Sequence, residues 1–559
     1  MDREAFDVVV LGSGAAGLAA AVTAAARGAR VLVIERAATV GGTTAWSGGW
    51  IWAPGNPLAL RAGLAPQPGA ARAYLRAVIG NRFDPVRVDA FLDAAPKMVA
   101  FLEAETKVRF ELGAAIPDTY SDLDGAGQGG RSVIAAPFDA RALGPALALL
   151  RRPMEETTFH GMTIQAGADL RAFLTMLRKP RAFLHVAGRV LRHGRDLALH
   201  GRGMDLRNGA ALAGRLLWSA LDLGVAIRTG TEVAALLRGA GGVEGVRLAD
   251  GAAVEARRGV ILATGGFAHD AGLRAATFPR PAEHRSLAVP EAQGDGVRLA
   301  RAAGAGLDLR AASAAALCPV SVVPWGGGRT GVFPHIIDRG KPGVIGVLAD
   351  GRRFCNEGLG YHDYVAALLD AVPGDAPARS WLVCDHRFLR RFGLGIVRPA
   401  PAPWRHWQRR GYLRSAPTVE ALARACGIDP AGLVATLVRW NAHAGQGADP
   451  EFGRGRTAYM RLQGDPDHRP NPCVAPILRP PFHAVEVVPG SFGTFAGLAA
   501  DGAARVLDAG GAPIPGLYAA GADAASPFGG FYPAGGINLG PALAFGFVAG
   551  QHAATGACP

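Results

Sequence analysis

The chain has 559 residues, 49% of them hydrophobic, with 78 glycines and a formal net charge of +13. That length exceeds one ordinary core and the composition excludes a disordered chain, so a loop-rich α/β protein of two or more domains is expected. The positive charge does not point to nucleic acid: only Lys97, Lys107, Lys179 and Lys341 are lysines, the arginines run along the whole chain, and no basic run carries interleaved aromatics.

In chain order, an acidic start (MDREAFD) stands where a signal peptide needs a basic region. An apolar run, Asp7–Leu11, reads as a buried strand leading into Gly12-x-Gly14-x-x-Gly17. An Ala-rich helix containing Ala15 and Ala16 follows, then a strand at Arg30–Ile34 that ends at Glu35-Arg36. Gly12 allows the tight turn, Gly14 lets backbone approach a pyrophosphate, and Gly17 lets the helix lie close to the sheet. Glu35 is placed to accept from a ribose hydroxyl, and the helix start offers free N–H groups and a positive dipole end to the diphosphate. The segment predicts a dinucleotide site. Val8–Ala26 is charge-free and long enough to suggest a membrane span, but its glycines fall at the fingerprint positions and it reads as strand plus helix.

Gly41-Gly42-Thr43-Thr44 and Ser47-Gly48-Gly49 come next. Residues 171–207 are basic and amphipathic. They read either as a peripheral membrane patch suited to a lipophilic substrate or as a solvated helical face over a buried apolar side, and the sequence favours the second. A helix at Asn208–Leu223 and strands at Val225–Arg228, Val243–Leu248 and Ala253–Arg257 lead to Ala263-Thr264-Gly265-Gly266. Residues 286–477 lack such signatures and carry most of the Trp- and Pro-rich segments. Asp295, in Gly294-Asp295-Gly296, serves equally well as a helix cap or a site residue. Six scattered cysteines (Cys318, Cys355, Cys384, Cys426, Cys473, Cys558), with no CxxC, suggest reduced thiols in a cytoplasm. Near the C-terminus stand Gly516-Leu-Tyr-Ala-Ala-Gly521-Ala-Asp523 and Tyr532-Pro-Ala-Gly-Gly536-Ile-Asn538-Leu539.

The Gly41–Gly49 and Gly516–Asp523 segments resemble those of two-dinucleotide-binding-domain flavoproteins. The resemblance implies FAD, with the first loop running from ribose toward ribitol and Asp523 bonding the ribitol. It implies adenine contact at Val233, with Ala263, Thr264 and Gly265 near the diphosphate. The implied fold is an α/β, Rossmann-like FAD-binding domain (residues 1–285 and 478–559) with an inserted α+β cap or catalytic domain at 286–477 that holds substrate against the flavin. Thr43-Thr44-Ala45-Trp46 lacks the histidine that tethers flavin in respiratory relatives, so the FAD is expected to be non-covalent.

With Ser47–Leu58 and Phe159–Ile164 added, the chain resembles the fumarate reductase and 3-ketosteroid dehydrogenase superfamily. Dicarboxylate reductases of that group hold substrate with an arginine four residues after Arg-Phe-x-Asn-Glu and another three residues before a C-terminal Gly-Gly. Here Arg353-Phe-Cys-Asn-Glu357 is followed by Tyr361, and Tyr532 precedes Gly535-Gly536. Without those guanidinium groups the bidentate carboxylate clamps are gone. The tyrosines are similar instead to those of 3-ketosteroid 1-dehydrogenases, which desaturate the steroid A ring. That likeness assigns Tyr532 and the Gly536 N–H to the ketone oxygen, and Tyr361 to removal of the α-proton. Tyr120 is assigned to a hydrogen bond that helps ionise Tyr361. His362 and Tyr364 are rival bases. A helix starting at Asn538–Gly540 is expected to point its positive end at the flavin. No metal is required. The implied partners are a steroid or other hydrophobic ketone and an electron acceptor such as a quinone, in the cytoplasm or at the inner face of the membrane. The rivals are desaturation at position 4 of a 5α-steroid, reduction of an unsaturated acid clamped by Arg329, Arg352 or Arg353, and a non-catalytic flavin protein with an open flavin face.

Overall fold

The computed structural model describes residues 4–65 and 67–559, so the first three residues of the acidic start lie outside it. The apolar run near the N-terminus forms the strand Glu4–Leu11 at the centre of an eight-stranded sheet. Its neighbours are Val31–Ile34 on one side and Ala253–Leu262 on the other, both parallel to it. Ala226–Arg228 and Pro513–Ala519 extend the parallel core outward, and the short strand Arg505–Leu507 closes one edge antiparallel. A strand buried on both faces reads as an unbroken apolar run, as Val8–Leu11 does.

Two helices cover one face of this sheet. Ala15–Ala26 follows the first strand, and Leu539–Thr555 closes the chain. They run in the same direction at very close range: a Cβ on Gly546 would lie 2.4 Å from the Ala16 carbonyl oxygen, and one on Gly550 would lie 2.3 Å from that of Ala20. Glycines on one helix and alanines on the other make this approach possible. It sets the starts of both helices beside the same cavity.

The expected helix at Asn208–Leu223 and the paired strands after it are present. The second strand runs on to Leu262, and an additional strand, Val233–Gly239, pairs antiparallel with Gly242–Leu248. The second sheet has seven strands and is almost wholly antiparallel. Its longest strand, Phe482–Thr494, pairs with Ala315–Gly326 and Ser380–Asp385. This central strand lies after residue 477, so the polypeptide completes the second sheet before returning to the first at Arg505.

In the basic stretch 171–207 the solvated face is present, with Arg171, Arg178, Lys179, Arg181, Arg192 and Arg195 exposed, but the buried side is not the apolar one expected. In the helix Pro180–His200 the buried positions are Val186, Arg189, His193 and Asp196, so three of the four are polar. Arg189 donates to Asp169 and the Thr163 carbonyl, His193 meets the His160 carbonyl, and Asp196 accepts from the Met204 N–H. Phe183, Leu184 and Leu191 on the same helix are 52%, 69% and 75% exposed. Specific polar partners inside the fold determine which side turns inward. Among the described residues no helix is long and apolar enough to cross a membrane.

Candidate active site

A cavity of about 640 Å³ lies between the two sheets. At one end, Gly12, Gly14, Ala15 and Ala16 border it at the start of the first helix. Gly12 has φ +100°, and a Cβ there would fall 2.2 Å from the Ala263 oxygen. A Cβ on Gly17 would fall 2.0 Å from the Gly12 oxygen. These glycines permit the strand–helix turn and its contact with Ala263-Thr264. Glu35 is buried but borders the cavity, its carboxylate held by the Ser13 N–H (2.9 Å) and the Ala37 N–H (2.8 Å). Thr44 Oγ1 accepts from the Ala15 N–H at 2.9 Å, fastening the Gly-rich loop to the helix start. Arg36 bridges Glu232 and Asp295 at 2.9 Å each, beside Val233. Asp295 is the first residue of its helix and also borders the cavity.

Of the other residues assigned to the cofactor, Gly42, Thr43, Thr44, Ser47, Gly48, Gly49, Val233, Ala263, Thr264, Gly265, Gly521, Asn538 and Leu539 border the same space. Three do not. Gly17 lies behind the turn as a packing contact, and Gly41 makes the left-handed turn (φ +118°) that starts the Gly-rich loop. Asp523 is the third such residue. It is fully buried, with its carboxylate accepting from the Thr264 N–H (2.5 Å), the Thr264 hydroxyl and the Gly266 N–H (both 2.9 Å). Gly521–Asp523 is a 3₁₀ turn, in which one residue rotates a side chain by about 120°. Ala522 therefore borders the cavity, and Asp523 turns away to join the two remote FAD segments. Burial raises its pKa, opposed by these hydrogen bonds.

The other end of the cavity is aromatic. Tyr361 opens the helix Tyr361–Ala371, and its ring meets that of Tyr532 edge to face with centroids 4.7 Å apart. Phe492 and Phe495 border this end, with Phe492 packed on Tyr361 and both near Tyr532. Asn538 Nδ2 donates to the Tyr532 hydroxyl at 3.0 Å, which leaves that hydroxyl's own proton for another acceptor. Burial pushes the pKa values of both tyrosines up, Tyr361 most strongly. Gly536 has φ +104°, and a Cβ on it would fall 2.6 Å from the Trp52 nitrogen. Its carbonyl accepts from the N–H groups of Trp52 and Gly540. Among the described residues its own N–H has no partner, and the residue borders the cavity.

Tyr120 does not border the cavity, and its hydroxyl goes elsewhere than expected. It donates to Asp363 Oδ1 at 2.8 Å, so no Tyr120–Tyr361 bond lowers the pKa of Tyr361. Asp363 sits in the first turn of the Tyr361 helix, and burial pushes its carboxyl up to about 6. The rival bases fall away on geometry. His362 Nδ1 accepts from the Leu317 N–H and burial lowers the ring's pKa to about 4, while Tyr364 is a core residue bonded to Ser380. Asp363 and the role of Asn538 toward Tyr532 were missed in the sequence. An acid in the first turn of the Tyr361 helix was the available signal.

The proposed carboxylate clamps are likewise taken. Arg353 is buried against Glu357 and Asp449, whereas Arg352 and Arg329 are exposed and paired with Asp350 and Glu155. None of the three borders the cavity.

The family described as FAD binding domain matches residues 7–539. The chain is 39% identical to 4-oxocyclohex-2-ene-1-carboxylate 5-dehydrogenase of Sinomonas cyclohexanicum, over 98% of this chain and 94% of that protein. It is 35% identical to 3-oxosteroid 1-dehydrogenase of Mycobacterium tuberculosis, over 99% of each. The crystal structure of 3-ketosteroid Δ1-dehydrogenase from Sterolibacterium denitrificans, in complex with 1,4-androstadiene-3,17-dione, superposes with a TM-score of 0.91 at 33% identity, covering 99% of this chain and 100% of that one. A flavocytochrome c3 fumarate reductase shares the fold at 23% identity and a TM-score of 0.62. The chain belongs to the FAD-binding-domain family together with the 3-oxosteroid 1-dehydrogenases, and is an FAD-dependent oxidoreductase of CH–CH groups.

Proposed function

We propose that this enzyme introduces a double bond beside the ketone of a six-membered ring, with the A ring of a 3-ketosteroid as its substrate. The observation that carries the reading is the Tyr361–Tyr532 pair with Gly536, on the cavity wall opposite the dinucleotide cradle. Such a reaction removes a proton from the α-carbon and a hydride from the β-carbon. Bound FAD supplies the hydride acceptor. Tyr532 and the Gly536 N–H donate to the ketone oxygen and stabilise the negative charge that develops there. The α-proton goes to Tyr361 as its phenolate, formed when the phenolic proton leaves to solvent before the step; burial, which raises its pKa, opposes that ionisation. This base works only while the ketone is polarised, which links the two tyrosines in one step. Tyr120 takes part as a positioning residue, through Asp363 on the same helical turn as Tyr361. The aromatic ring of Phe492 and Phe495 excludes water from the reacting carbons.

A second reading is favoured by one observation. Arg398 and Lys341 border the cavity without a carboxylate partner among the described residues, donating instead to the carbonyls of Glu156 and Thr158, and of Gly464. These cations suit a monocyclic ketone with a carboxylate, the kind of compound named for the Sinomonas relative. A preference for 4-oxocyclohexanecarboxylate over androstenedione in kcat/KM supports that reading, and the reverse order removes it.

The electron acceptor is proposed to be a quinone. It and a steroid both partition into bilayers, and the exposed apolar helix Pro180–His200 supports a peripheral membrane position. The deciding experiment mixes the oxidised enzyme with androstenedione without oxygen and follows the flavin absorbance. Bleaching with formation of the dienone is the expected result. An inert flavin that is reoxidised by fumarate after dithionite reduction overturns the proposal.

A further inference from the structure

One short stretch of this protein carries a cluster of exposed apolar side chains. Of the 17 large hydrophobic side chains that are exposed among the described residues, seven fall between Leu177 and Leu199: Leu177, Phe183, Leu184, Val190, Leu191, Leu197 and Leu199. Such clustering marks a surface that meets something other than water. At the foot of this helical arm lies a second cavity, bordered by Arg178, Arg387, Arg390, Arg391, Arg479 and His386 with no acidic residue. Its apolar rim is Phe173, Leu174, Met176 and Leu177, and Leu174 also borders the main cavity.

The arginine site is built from three segments. Asp385 holds two of them together, accepting from the Phe388 N–H and from the N–H groups of Leu478 and Arg479. Arg391 is paired with Asp465, yet its buried Nε has no partner. Burial lowers its pKa against the pull of Asp465, and repulsion from Arg178 and Arg387 adds to the lowering. Asp467 is taken by Arg171 and Lys179. Among the described residues Arg178, Arg387, Arg390 and Arg479 have no ion-pair partner within the protein.

Resting on the peripheral-membrane reading, we propose that this cavity is a headgroup site for an anionic phospholipid, holding the phosphate between Arg387, Arg390 and Arg479 while Leu177, Phe183, Leu184 and Leu191 enter the acyl region. Guanidinium forks match phosphate oxygens, and the apolar rim matches the chains below the headgroup. The shared residue Leu174 places the main cavity next to the bilayer.

The test is cosedimentation of the purified holoenzyme with vesicles of phosphatidylcholine, alone or with one quarter phosphatidylglycerol. The wild type is expected to prefer the anionic vesicles. The double variant Arg387→Ala/Arg390→Ala is expected to lose about 30-fold of that partitioning, from about 1 kcal/mol per basic residue. Phe183→Ser/Leu184→Ser is expected to weaken binding to both compositions alike. Equal binding of the wild type to both vesicle types, or unchanged partitioning of the arginine double variant, overturns the proposal. So does calorimetry showing arginine-dependent binding of inorganic phosphate by an enzyme that ignores anionic vesicles. Wild-type turnover of a cyclodextrin-delivered ketone, with no vesicles present, tests the active-site reading separately.

Discussion

Replacing Tyr532 with phenylalanine removes one hydroxyl and leaves the packing in place. The ring keeps its edge-to-face contact with Tyr361 at 4.7 Å and its neighbour Phe495 at 5.9 Å. What the folded state loses is the hydrogen bond from Asn538, about 1 kcal/mol. Of the residues assigned to the cofactor, Asn538 alone among the described residues touches that hydroxyl, and its backbone stays at the start of the C-terminal helix, so FAD is expected to stay bound. The effect on rate is larger, because the lost group is a donor to the ketone oxygen in a site that excludes water. Loss of one such donor costs about 3–4 kcal/mol, or roughly 100- to 1000-fold. The Gly536 N–H remains and preserves the residual activity. The assay is anaerobic stopped-flow bleaching of the flavin by saturating androstenedione, with FAD content taken from the resting spectrum. A slowing of less than about tenfold shows that Tyr532 only lines the pocket. Loss of FAD in place of loss of rate shows that the hydroxyl serves the fold.

Two further outcomes are expected. Tyr361→Phe abolishes exchange of the substrate's α-protons with heavy water, read by mass spectrometry, and persistent exchange assigns the proton to another group. Asp363 has its pKa raised from 3.8 to about 6 by burial. A raised carboxyl favours folding below the unfolded pKa, and that advantage is lost as the pH rises through about 6. Ionisation at pH 8 therefore costs the fold about 3 kcal/mol. Asp363→Asn keeps an acceptor for Tyr120 and is expected to raise Tm at pH 8 but not at pH 4, and an equal change at both pH values refutes the assignment.

The exclusion of dicarboxylate chemistry is now a matter of geometry as well as residue type. Arg353 opens the Arg-Phe-x-Asn-Glu motif and by sequence is a candidate carboxylate clamp, yet it lies over Trp440 and Phe452 between two carboxylates. Removing one member of such a buried group leaves an uncompensated charge, so its role is to hold the second sheet to the Asp449–Arg454 loop.

The amino-acid sequence alone determined the dinucleotide cradle, because its chemistry is local: Gly12, Gly17 and Glu35 act within one strand–helix–strand unit. It also determined the absence of arginine at positions 361 and 532, since a side chain's charge does not depend on the fold. Tertiary structure decided the rest. Tyr120 meets Asp363 across 243 residues, a pairing that no local pattern encodes. Asp523 faces the Thr264 turn because a 3₁₀ step rotates it off the cavity. Phe482–Thr494 joins the second sheet through pairing set by distant strands. The helix Pro180–His200 buries Arg189 and His193 because Asp169 and the carbonyls of Thr163 and His160 wait there, and hydrophobic pattern alone cannot tell which side of an amphipathic helix has partners.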